Sequence, residues 1–179
     1  MNLMKGFKKQ LLDFIPVFLG VVLALFFNNI NEDRVQQNQI EGLLEKIALG
    51  TEKNIENLTI QLNQNQRVMD TALLYLDDPE VSIGMIRSRA RGIRYIQFDL
   101  AAWNVLKSSE LLVDVDYELV SMLYLLNEHI NNSNEIVSQG EAMDKATKEA
   151  FVSDLSDYLL EIKHQLFLSE KIRDLLKAM

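Results

Sequence analysis

The chain has 179 residues, with 18 Lys and Arg against 26 Asp and Glu, two His and no Cys, for a formal net charge of −8. That length suits one domain, and the lack of Cys rules out disulfides, thiolate metal sites and thiol nucleophiles while leaving the redox compartment undetermined. Hydrophobic residues make up 48% and Gly and Pro together only nine, which argues against long disorder and a many-turned β-sandwich; the acidic balance argues against duplex nucleic acid as a partner.

At the N-terminus Leu3, Met4, Phe7, Leu11 and Phe14 recur at helical spacing, with Lys5, Lys8, Lys9 and Asp13 on the other side. This pattern predicts an amphipathic interfacial helix over 1–13, with a frayed basic tail as the plain alternative. Phe14 to Phe27 is a run of fourteen apolar or small residues, and it reaches twenty, Leu11 to Ile30, if Asp13, Asn28 and Asn29 are counted. A spanning helix needs about 20 residues. No small-x-small cleavage site follows, so the reading is an uncleaved transmembrane helix over 14–30, opened by Pro16, and not a signal peptide. At about 100° per residue Asp13, Gly20, Ala24, Asn28 and Asn31 share one sector. A Gly-x-x-x-Ala pair lets helices approach closely, and polar groups within a membrane face protein or water. The stripe therefore predicts homo-oligomerisation, either as a tight dimer face or as a polar path inside a ring of anchors such as a tetramer.

Residues 31–76 contain no Pro, and Ile40, Leu44, Ile47, Leu58, Leu62, Met69, Ala72 and Leu76, with Thr51, Ile55 and Asn65 between them, alternate by three and four. That is the spacing of a coiled-coil seam and predicts one long helical stalk. Gly42, Gly50 and the polar stretch Gln61 to Gln66 make two helices the alternative. Asp77 to Glu80 reads as a turn, Val81 to Tyr95 and Phe98 to Lys107 as two shorter helices, and Asp114 or Asp116 as the cap of a helix from Tyr117 to about Ile130. After a polar loop, Asn131 to Gly140, the last helix buries Phe151, Leu155, Tyr158, Leu159, Ile162, Leu166, Ile172 and Leu176. No segment alternates as strands do. The expected fold class is all-α: an N-terminal transmembrane helix continuing into a helical stalk and soluble bundle over 31–179, as a homo-oligomer.

Arg87, Arg89, Arg91 and Arg94 lie within eight residues of an otherwise acidic chain. On a helix Arg87, Arg91 and Arg94 would share a face as a donor array for phosphate, with Tyr95, Phe98 and Trp103 near enough to stack on a base. The plainer reading pairs these arginines with carboxylates of neighbouring helices, and makes Trp103 a core anchor. Glu161-x-x-His164 is half of a di-iron bundle motif, but the other His, His129, lacks that spacing, so no metal and no cofactor is expected. No phosphate loop, Gly-x-Ser-x-Gly or His-Glu-x-x-His occurs, and the chain reads as non-enzymatic.

The run from Gly20 to Glu32, GVVLALFFNNINE, followed by Arg34, resembles a widespread family of uncharacterised bacterial single-pass membrane proteins, whose members carry a similar glycine, an Ala-Leu pair, Asn-Asn, an apolar residue and Asn-Glu. Ala102 to Ser109, with Asp116 to Leu119 after it, is a second, looser similarity. The resemblance implies anchoring in a bacterial inner membrane and a helical soluble domain, and brings no catalytic residues. The architecture is also similar to effectors of anti-phage systems that oligomerise, sense a nucleotide and permeabilise the inner membrane. The leading expectation is a pore-forming or membrane-disrupting homo-oligomer, in contact with membrane lipid, whose bundle senses an anionic, nucleotide or oligonucleotide ligand. The alternative is an anchored, periplasmic-facing sensor or scaffold with a protein partner. Three lysines before the span and Arg34 after it favour an external bundle, whereas a nucleotide sensor needs a cytoplasmic one. The sequence leaves the side open.

Overall fold

The computed structural model describes residues 3–139 and 147–179, with side chains over 16–137 and 147–179. Every regular element among these residues is helical, as the composition implied. Helix α1 spans Leu3–Leu74, α2 Ile83–Arg89, α3 Ala101–Lys107, α4 Tyr117–Gln139 and α5 Lys148–Ala178, with a 3-10 turn at Glu110–Asp114. The chain divides into two compact units, residues 1–42 and 43–179.

The described part of the first unit is the beginning of α1, with Pro16 inside the helix and not at its start. The large side chains from Val17 to Phe27 are 42% to 65% exposed, on every face of the helix. Asn28, Asn29, Asn31, Glu32 and Asp33 then end the apolar stretch. Eleven helical residues rise about 16 Å, against a hydrocarbon core of about 30 Å. Among the described residues no helix is long and apolar enough to cross a membrane. This overturns the expected single-pass placement in a bacterial inner membrane. The amphipathic pattern of 1–13, including Asp13, rests on side chains outside the described residues. Gly20, Ala24, Asn28 and Asn31 are exposed, and the Asn28 amide donates to Glu32 Oε1 at 2.7 Å.

In the second unit α1 buries Ile47, Thr51, Asn54, Leu58, Gln61, Asn65, Val68 and Ala72, a strict alternation of four and three that keeps one seam facing the bundle. The polar stretch Gln61 to Gln66 does not interrupt the helix. The seam differs from the expected one: Asn54 and Gln61 are buried where Ile55 and Leu62 were expected, Asn54 with both ends of its amide bonded and Gln61 with its NH2 group bonded. The Gln61 amide donates to the Tyr158 hydroxyl at 2.5 Å, and Asn54 holds backbone at Asp99.

The same alternation runs along α5 through Phe151, Leu155, Tyr158, Ile162, Gln165, Ser169 and Ile172, and along α4 through Leu119, Leu123, Leu126, Ile130 and Ser133. The two helices are antiparallel. Gln165 donates to the His129 carbonyl and to Ser133 Oγ, while Leu155 and Tyr158 lie near Ile136 and Val137. Asp116 Oδ1 accepts from the Leu119 amide at the start of α4, and Thr147 Oγ1 from the Ala150 amide at the start of α5, each satisfying an otherwise orphaned helix donor. The core joins Leu58, Val68, Met69 and Ala72 of α1 to Ile83 and Ile86 of α2 and to Phe151, Leu155, Tyr158 and Ile162 of α5. Trp103 is 1% exposed, edge-on to Tyr124, the core anchor its sequence context indicated.

Candidate functional site

Residues 92–100, expected to be largely helical, form no regular structure and lie as a strap along α1. Asn65 donates to the Arg94 carbonyl at 2.9 Å and accepts from the Arg94 amide at 2.7 Å. Three turns earlier Asn54 makes the same pair with Asp99, at 3.3 and 3.0 Å. A side-chain amide offering both donor and acceptor stands in for a peptide group and satisfies both backbone groups of one strap residue. The two clasps also fix the strap's conformation. The eleven helical steps from Asn54 to Asn65 span about 16.5 Å, and the five steps from Arg94 to Asp99 cover that distance only when extended at about 3.3 Å each. Gly50 lies beneath the end of the strap, where a Cβ would sit 3.1 Å from the Asp99 carbonyl oxygen.

The strap begins at the end of α2, which closes in a Schellman motif. The Gly92 amide donates to the Arg87 carbonyl at 2.6 Å, and the Arg91 amide to the Ser88 carbonyl at 3.2 Å. The left-handed position of that motif normally takes Gly. Here Arg91 occupies it, at φ 67°, followed by Gly92 at φ 77°. Gln64 fastens the turn by donating to the carbonyls of Ala90 and Gly92 at 2.6 and 3.0 Å.

This local geometry disperses the four arginines. Arg89 stacks over the Tyr75 ring, 4.5 Å from its centroid. Arg87 lines an open groove with Ser82, Thr147 and Lys148, in which the Lys148 ammonium is already committed to the carbonyls of Tyr75 and Asp78. Arg91 and Arg94 come together with Arg67, a residue from α1 that the sequence pattern did not single out. These three, with Ile60, Asn63, Gln64 and Ile93, line an open groove of about 500 Å³. Among the described residues no carboxylate lines it. A guanidinium group presents donors in a plane matched to phosphate or carboxylate, so arginines grouped on one groove suit a multiply charged oxyanion. The aromatic residues expected beside a base are used otherwise. Trp103 is buried, Phe98 packs on the core, and Tyr95 lies 5.7 Å from Tyr158, ring centre to ring centre.

A second cluster arises between α4 and α5. His129, which lacked the motif spacing in sequence, lies against Glu161 and His164. The antiparallel pairing that brings these residues together was invisible to a search for local spacing. No protein-family model, no curated protein and no solved structure matches the chain.

Proposed function

We propose that this protein is a non-enzymatic, homo-oligomeric binding protein whose helical bundle takes a phosphate-bearing anion in the groove of Arg67, Arg91 and Arg94. The observation that carries this reading is the grouping of three arginines around one groove whose lining, among the described residues, holds no carboxylate, in a chain of net charge −8. Among the described residues the lining also holds no nucleophile and no acid–base pair, which favours binding over chemistry. Titration calorimetry with inorganic phosphate, pyrophosphate and ATP tests it. Binding is expected to weaken as salt is raised, because the contacts are ionic and exposed, and to be abolished in Arg67→Ala with Arg94→Ala. If none of the three anions binds the wild-type chain, the reading fails.

The assembly half of the proposal rests on the first unit. A helix apolar on every face is stable when covered on every face, and an apolar run of ten to fourteen residues is more often a buried core helix than a span. One partner helix covers a single face, so three or more copies packed through Val17 to Phe27 are the simplest cover. Small residues at Gly20 and Ala24 would allow close approach. A Cβ at Gly20 meets nothing within 4 Å in a single chain, so any loss of assembly in Gly20→Leu would originate in contacts with another copy. Light scattering on size-exclusion fractions should give a multiple of 20.6 kDa that falls in Gly20→Leu. A monomer in solution that floats with liposomes would instead assign the apolar surface to lipid. A pore built from single spans is not taken forward, because it required the crossing helix.

A further inference from the structure

The cluster between α4 and α5 has the composition and size of a metal site. Glu161 and His164 are three residues apart on α5 and so share a face. His129 reaches them from α4, its Nδ1 2.7 Å from Glu161 Oε2 and its ring centre 5.0 Å from that of His164. One ligand atom from each of the three side chains lies within 4.8 Å of the other two. An ion bound at about 2.0–2.2 Å to imidazole nitrogen and carboxylate oxygen keeps its ligand atoms roughly 3–3.5 Å apart. Closing the triangle therefore takes a contraction of roughly 1 Å, within the range of side-chain rotation.

The surroundings suit such a site. Gln165, 1% exposed, follows His164 directly and donates to the His129 carbonyl at 2.8 Å and to Ser133 Oγ at 2.6 Å. It thereby fixes the register of α4 against α5 next to the ligands, the supporting role that outer contacts play around bound metals. His129 and Glu161 are half-buried, whereas His164 is exposed and leaves a path for entry. The His129–Glu161 hydrogen bond alone accounts for pairing of the two helices. It does not account for a second imidazole presenting a nitrogen to the same point.

We propose that His129, Glu161 and His164 form a site for a divalent transition-metal ion, with water completing the coordination. Two imidazoles and one carboxylate favour Zn²⁺, Ni²⁺, Co²⁺ or Cu²⁺ over Ca²⁺ and Mg²⁺, which prefer all-oxygen shells. The chain has no Cys to compete for the ion. The site is independent of the arginine groove.

The test uses the full chain with any affinity tag removed and metal stripped by a chelator. Zn²⁺ is titrated against a chromophoric competitor, and the imidazole resonances are followed by NMR, where only two His contribute. One Zn²⁺ per chain is expected, moving both imidazoles, with affinity at least roughly tenfold weaker in His164→Ala and in Glu161→Gln, the least that losing a ligand should cost. His164 is exposed, so His164→Ala retains the fold and decides the matter even if Glu161→Gln is destabilised. Zn²⁺ binding unchanged in His164→Ala, or a shift confined to one imidazole, would overturn the site and leave a helix-pairing hydrogen bond.

Discussion

Asn65→Ala is the sharpest test of how the bundle holds its strap. Asn65 is 0% exposed and makes two hydrogen bonds to the backbone of Arg94, at 2.9 and 2.7 Å. Truncation to Ala removes both and leaves the Arg94 amide and carbonyl facing the side of a helix. Each lost bond costs about 1 kcal/mol, and each backbone group left unsatisfied in a partly buried place adds to that, for a total of about 3 kcal/mol. The second unit comprises 137 residues, which at about 2.1 cal/mol/K per residue gives an unfolding entropy near 0.29 kcal/mol/K. The expected fall in melting temperature is therefore about 10 °C. Asn54→Ala should cost less, since its bonds to Asp99 are longer, at 3.3 and 3.0 Å. Thermal denaturation by circular dichroism gives the shift, and hydrogen exchange at the Arg94 amide reports the clasp directly. A melting temperature within 2 °C of wild type, with unchanged protection at Arg94, would refute the idea that these amides hold the strap. Because Arg94 also lines the groove, Asn65→Ala should weaken anion binding without altering any side chain that lines it.

Arg91→Gly should keep stability within about 1 kcal/mol of wild type, because relief of the left-handed strain at φ 67° offsets the greater backbone entropy of Gly; anion affinity should fall nonetheless, which urea unfolding and calorimetry on one sample would separate. Gly42→Ala should stabilise by roughly 0.5–1 kcal/mol through helix propensity, since a Cβ there meets nothing within 4 Å. Gly50→Ala should gain nothing or lose, because its Cβ would press 3.1 Å from the carbonyl of Asp99, which Asn54 prevents from moving away; equal gains in melting temperature for both would refute the close approach. Burial holds the Tyr158 hydroxyl well above its ordinary range, nearby Tyr95 pushes the same way, and the Gln61 hydrogen bond opposes them. A raised folded pKa means that this stabilisation is complete below the unfolded value near 10 and is lost as pH rises beyond it toward the folded value. Tyr158→Phe should thus flatten the alkaline limb of stability against pH by up to about 1.4 kcal/mol per pH unit, and an unchanged limb would place the alkaline loss elsewhere.

How far the fold could be read from sequence follows from the range of the interactions involved. The seam of α5, the first half of α4 with its cap at one of two aspartates, and the burial of Trp103 were legible, because helical periodicity and capping are local; residues 131–139, expected as a polar loop, instead continue α4 to Gln139. On α1 the single long helix and the place of Asn65 on its seam were legible, whereas Asn54 and Gln61 were missed for the opposite reason. Asn54 and Gln61 look like interruptions of a hydrophobic seam until their partners are known, and those partners lie 45 and 97 residues further along the chain. The same amides explain why 92–100 is not helical: once Asn65 and Asn54 hold both backbone groups of Arg94 and Asp99, the extended strap costs little in unsatisfied hydrogen bonds.

The arginine cluster shows how local spacing misplaces a site. Arg87, Arg91 and Arg94 align only if the helix continues through all three, and α2 stops at Arg89. Its closing turn throws Arg91 into a left-handed conformation and sends Arg94 down the strap toward Arg67, 27 residues earlier on α1. The charge density noted in sequence is therefore retained, but its partner comes from another helix. His129 repeats the pattern with Glu161 and His164, across the antiparallel pair α4 and α5. In both places one side chain arrives from a distant helix in a register that a buried amide fixes: Asn65 holds the strap that carries Arg94, and Gln165 holds α4 beside His129. Substituting either amide should therefore disturb its own cluster and spare the other, because the two clusters share no residue.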